Sequence, residues 1–118
     1  MPKETDTEKS MRSKKIEETT ISAGFVPYRV ISLCKEIIPM LRTIAEKGNQ
    51  NSLSDAGVAL SLIATATEGA FLNVLINCSS YKDNEKANAV LSKSESVFSE
   101  VKDICNKELE IIEKKLGR

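Results

Sequence analysis

If the segment from Asp55 to Asn77 is helical, seven of its residues share one narrow face. Asp55, Ala59, Leu62, Ala66, Gly69, Asn73 and Asn77 fall within roughly 40° of a single direction at about 100° per residue. Small residues in such a line let another backbone or a flat ligand approach closely, and two amides one turn apart offer hydrogen-bond donors and acceptors. Asp55 points the same way as Asn73, but about 27 Å of helix separates them, so no single small pocket on one copy uses both. Glu68, the one formal charge between Asp55 and Lys82, lies on a different face with Ser61 and Thr65. A lone carboxylate in so apolar a run needs a partner, interfacial water or a raised pKa. Structural roles compete with each of these: a buried Asn is usually satisfied by hydrogen bonds, an Ala/Gly line often marks close helix packing, and an Asp early in a helix complements its dipole.

Composition narrows the chemistry further. The chain has 118 residues, room for one small domain, with 17 basic and 17 acidic residues and a formal charge of zero. The two signs are interleaved, which describes solvated helix faces and points to neither a nucleic-acid partner nor a membrane partner. There is no histidine, which removes the commonest general acid/base and the commonest metal ligand and leaves metal and triad chemistry without their usual groups. Cys34, Cys78 and Cys105 are odd in number and far apart, so they read as reduced, buried thiols of a cytoplasmic protein. The N-terminus has no apolar signal-like run. The Val58–Asn77 stretch is long enough to suggest a membrane span, but its Ser, Thr, Glu and Asn residues favour a bundle helix.

The elements that position these residues are all helical. A capping box at Thr5 and Glu8 starts a first helix near Asp6, with thin apolar content at Met11, Ile16 and Ile21. Gly24 and Pro27 predict a break or sharp kink. A second helix follows from Tyr28 to Lys47, with Val30, Cys34, Ile37, Leu41 and Ile44 as its inward stripe, widened by Ile31, Ile38 and Ala45, bent by Pro39 and stopped by Gly48. The central helix runs from about 54 to 77, with Ser54 as its N-cap and Asp55 in its first turn. A long amphipathic helix from Asn84 to Leu116 closes the chain, its stripe including Val90, Phe98, Val101, Cys105 and Ile112. The expected fold is an all-α antiparallel bundle around a buried central helix. A nearly all-apolar helix needs three or four neighbours and this chain supplies about two good ones, so some apolar surface must be covered by self-association or by another segment.

The strings GNQNSLSDAGVA, EGAFLNVLIN and YKDNE, followed by a long C-terminal helix, together resemble the C-terminal half of the formiminotransferase-cyclodeaminase C-terminal domain family. PKETDTEKS and the later Val26-Pro27 also fit. The resemblance implies an all-helical, dimeric one-carbon enzyme that takes a tetrahydrofolate derivative as substrate, without a metal, in a cleft near the subunit interface. Its reaction would be ring closure with loss of ammonia or hydrolysis of the methenyl bridge. On the matching positions, Asn49, Asn51, Ser54 and Asp55 before the central helix and Gly69, Asn73 and Asn77 along it would line the substrate. Leu75 stands where cyclohydrolase-like members carry arginine, which tilts the reaction towards cyclodeaminase. The family's Pro/Gly-rich segment and the acidic helix with its acid/base carboxylate lie upstream of the matched region, so the expectation is a partial domain, inactive without that half. The competing expectations are a non-catalytic oligomerisation module derived from the family and an adaptor that binds a partner helix.

Overall fold

The computed structural model describes residues 4–118. Three helices form an antiparallel bundle: α1 (Asp6–Lys47), α2 (Gln50–Cys78) and α3 (Glu85–Lys115), with a short 3-10 turn at Ser79–Tyr81 between the last two. Local chemistry sets most of the ends. The Thr5 side chain accepts from the Glu8 amide at 3.1 Å, as its capping box requires. Asn84 caps α3 by accepting from the amides of Lys86 and Ala87. At the α1–α2 corner the Gly48 amide donates to Ile44 O at 2.7 Å. A Cβ at Gly48 would lie 2.5 Å from that same oxygen, so the corner requires glycine.

Two boundaries differ from expectation. The first helix does not break at Gly24–Pro27; α1 continues for 42 residues through both Pro27 and Pro39. Each proline removes one donor from the ladder, a local cost that packing offsets here. Gly24 is buried against α2, where an added Cβ would sit 2.7 Å from Cys78 Sγ, and Ile21 and Ile31 on either side are fully enclosed. The N-cap of α2 is Asn49 rather than Ser54: its side chain accepts from the Ser52 amide at 2.9 Å. The extra turn brings Leu53 into the core, and it moves Asp55 beyond the first turn.

α2 is central, packed against both neighbours, and its buried line is Leu53, Ala56, Leu60, Ile63, Thr67, Ala70, Val74 and Cys78. One end of the core joins these residues to Cys34, Ile38, Leu41 and Ala45 of α1 and Val101, Cys105 and Ile112 of α3. The other end joins Ile21 and Ile31 to Ala87 and Val90. Phe71 and Phe98 stack across α2 and α3 with centroids 4.7 Å apart. Enclosure is one-sided, however. Only 22% of the most apolar 18-residue window of α2 is buried, although that helix is long and apolar enough by composition to cross a membrane. The inward face of α1 keeps the residues expected to widen its stripe and turns two of the stripe itself outward. Ile31, Cys34, Ile38, Leu41 and Ala45 are buried, whereas Val30 and Ile37 are exposed and Ile44 is half-buried.

The molecule measures 70 × 27 × 20 Å. At about 1.5 Å per residue α1 is roughly 20 Å longer than α2, and the excess lies at its N-terminal end, where every residue from Glu4 to Ile16 is exposed. The thin apolar content of that arm accounts for its solvation.

Candidate functional site

The small-residue face of α2 faces outward and forms one wall of a trough whose other wall is α1. Helical spacing places Ala66, Gly69 and Asn73 on successive turns, and α1 runs antiparallel beside them, so Val26, Pro27 and Val30 stand opposite. The enclosed space is about 320 Å³ and open to solvent. Further along the same interhelical seam a second hollow of about 360 Å³ lies between Leu41 and Ile44 of α1 and Ser52, Asp55, Ala56 and Ala59 of α2.

The expected site residues therefore divide. Gly69 and Asn73 lie together in the first hollow and Asp55 in the second. Asn77 is half-buried where α2 meets Gly24, its Cβ 3.6 Å from the position a Gly24 Cβ would take. Asn49 is occupied as the helix cap, and Asn51 and Ser54 are exposed on the first turns of α2. Among the described residues no hydrogen bond engages the Asn73 side-chain amide, which leaves its donors and acceptor turned to the open trough. Glu68 is exposed to solvent on a face of α2 away from the trough. Val26, Pro27 and Val30 were not among the expected site residues. Their signal was hidden because Pro27 reads as a helix breaker, whereas in a continuous helix it presents a ring to the neighbouring groove.

Gly69 is distinctive. A glycine inside a helix costs about 0.5–1 kcal/mol relative to alanine. At Gly24 packing accounts for that cost, but a Cβ added at Gly69 would meet nothing within 4 Å. Among the described residues nothing requires glycine there, and the space over its backbone is open.

Polar groups elsewhere have structural explanations. Glu108, 9% exposed, is paired with Arg42 at 2.9 Å, and Lys115 Nζ donates to Ala45 O at 2.8 Å, both tying α1 to α3. A hollow lined by Glu18, Ser22, Asn84 and Lys86 contains the Asn84 cap. Burial pushes the Cys78 thiol up from its ordinary value; Cys105 is pushed up by burial and secondarily by the nearby Cys34. All three cysteines are reduced and buried, a poor setting for a reactive thiolate. Thr67 Oγ1 and Ser94 Oγ are buried without a hydrogen-bond partner among the described residues. Both sit on the packed sides of their helices, away from the trough.

The architecture is thus an all-helical bundle with an open interhelical trough, walled on one side by small residues and an amide. The chain belongs to the formiminotransferase-cyclodeaminase family, whose model matches residues 1–96. It is 34% identical over 117 residues to a methenyltetrahydrofolate cyclohydrolase of Methylorubrum extorquens, covering 99% of this chain and 56% of that protein. It is 30% identical over 102 residues to the formimidoyltransferase-cyclodeaminases of Rattus norvegicus and Mus musculus, covering 86% of this chain and 19% of each. The chain therefore spans about half the length of the bacterial relative and a fifth of the mammalian ones.

Proposed function

We propose that this chain carries one wall of a reduced-folate site in one-carbon metabolism. The reaction is cyclodeamination of a formimino group or hydrolysis of a methenyl bridge, and the general acid/base comes from outside these 118 residues. Family membership supports the folate class. The observation that carries the reading at the level of residues is the trough at Gly69 and Asn73, where an unexplained helical glycine lets a flat ring lie against the backbone and an uncommitted amide can orient it. Asn77 extends that wall one turn on. The only carboxylate lining the two hollows is Asp55, about 27 Å along the helix from Asn73 and out of reach of a ring bound there. We infer that Asp55, with Asn49, Asn51 and Ser54, serves not this ring but the site of the other copy in a homodimer.

A titration of the chain with methenyltetrahydrofolate, alone and with the part of a relative that this chain does not match added, tests this. Saturable binding weakened about tenfold or more by Asn73→Ala is expected, on the scale of one or two lost hydrogen bonds to a buried ligand. No affinity under either condition refutes it. In that event the chain is a helical oligomerisation module that keeps the family's fold without its ligand, and Asn73→Ala weakens assembly instead.

A further inference from the structure

Pro27 brings to the trough more than a ring. Proline has no backbone N–H, so in the continuous helix α1 the carbonyl of Ala23, one turn back, lacks the donor that would close its turn. The proline ring also crowds that carbonyl and tips it away from the helix axis. On the helical wheel Ala23 lies about 20° from Val30 and about 40° from Pro27, both of which line the trough, so the freed carbonyl belongs to the same wall. Ala23 is exposed. Gly24 packs beside Asn77 and Cys78, and α1 and α2 run antiparallel. The Ala23 carbonyl, directed along α1 towards Pro27, is therefore level with the interval between Asn77 and Asn73 on the facing wall. Pro39 supplies a contrast. It frees the carbonyl of Lys35, about 120° around α1 from Ala23. There the Lys35 side chain pairs with Glu100 of α3 at 3.0 Å.

An unpaired backbone acceptor costs little while water reaches it and much more once a ligand covers it. A ring lying flat on Gly69 turns one edge towards α1 and expels that water, so the edge must bring an N–H. The Asn73 amide can donate or accept and suits either edge, whereas a carbonyl only accepts. We propose that the Ala23 carbonyl, freed by Pro27, accepts from the 2-amino group of the folate's pterin ring and fixes which edge of the ring faces α1. This rests on the folate reading given above. The 2-amino group stands at the end of the ring remote from the one-carbon bridge, so holding it orients the ring and leaves the bridge free to react.

The test compares two ligands, methenyltetrahydrofolate and its analogue with a methyl group in place of the 2-amino group, titrated onto the full chain alone and with the unmatched part of the Methylorubrum protein added. The unaltered chain should prefer the amino compound about tenfold or more, because the methyl analogue leaves the covered carbonyl without a donor. Pro27→Ala restores an N–H to the helix ladder and recaptures the carbonyl, so the preference should fall below about threefold. Replacing Pro27 by lactic acid, which has the shape of alanine but an ester oxygen in place of the N–H, should restore the preference. Pro39→Ala should leave it unchanged. Equal affinity of the unaltered chain for the two ligands overturns the proposal and leaves the folate reading standing. A preference that survives Pro27→Ala, is lost with Pro39→Ala, or does not distinguish lactic acid from alanine at position 27 does the same. Binding of neither ligand under either condition overturns the folate reading and this proposal with it.

Discussion

Replacing Gly69 by alanine should make the isolated chain more stable. The residue lies nine positions from the end of a 29-residue helix, in ordinary helical geometry, and its added methyl would meet nothing within 4 Å. The gain is the helix-propensity difference, about 0.5–1 kcal/mol, with no packing term against it. For a chain of this size that corresponds to a rise of about 2–5 °C in melting temperature by circular dichroism. Gly24→Ala supplies the contrast. It carries the same propensity gain, but its methyl would lie 2.7 Å from Cys78 Sγ, and Cys78 is fully buried, so overpacking of about 1–3 kcal/mol should dominate and lower the melting temperature. Opposite signs from one chemical change would establish that Gly24 serves the chain's own core and Gly69 does not. A loss of stability at Gly69 would refute the reasoning, because it would mean that something already packs on that backbone in the isolated protein.

Thr67→Val keeps the shape of a fully buried side chain and removes a hydroxyl without a partner, so it should stabilise the chain by about 1 kcal/mol in urea denaturation. Asn49→Ala removes the cap on the Ser52 amide and should cost about 1 kcal/mol in the same assay, whereas Ser54→Ala should change stability by less than about 0.5 kcal/mol. Cys78 and Cys105 have folded-state pKa values above their unfolded ones. The unfolded chain therefore releases these protons first, and stability should fall as pH rises above about 8.5, the ordinary thiol value. A Cys78→Ala/Cys105→Ala double variant, compared with its parent between pH 7.5 and about 10, should show a flatter profile.

Much of the fold was legible from periodicity and caps. Thr5 and Glu8 mark the start of α1, Gly48 its end and Asn84 the start of α3, because each acts through a hydrogen bond or contact within one turn. What local rules could not supply was set by tertiary contact. Pro27 signals a break, yet Gly24, Ile21 and Ile31 are packed so closely on α2 and α3 that the helix continues. Ser54 is as good a cap as Asn49 by residue type, and burial of Leu53 selects the earlier one. In α1 apolar residues cover more than half the circumference. A period cannot say where within that arc the buried face is centred: Ile31, Ile38 and Ala45, expected to widen the stripe, are enclosed, whereas Val30 and Ile37 within it are exposed. The line from Asp55 to Asn77 was legible as a face, and so was the shortage of neighbours to cover it. That Gly69 faces open space, and that Pro27 stands across from it, required the fold.

The central claim is that a ligand meets this chain at the α1–α2 trough. It is tested most directly by adding methenyltetrahydrofolate to the isotope-labelled chain, with and without the part of the Methylorubrum protein that this chain does not match, and following backbone amide resonances. The account predicts saturable shifts centred on Ala66, Gly69, Asn73 and Val30, with residues around Glu18 and Lys86 undisturbed. Shifts centred on the Asn84 hollow, or none at any ligand concentration in either sample, would contradict it.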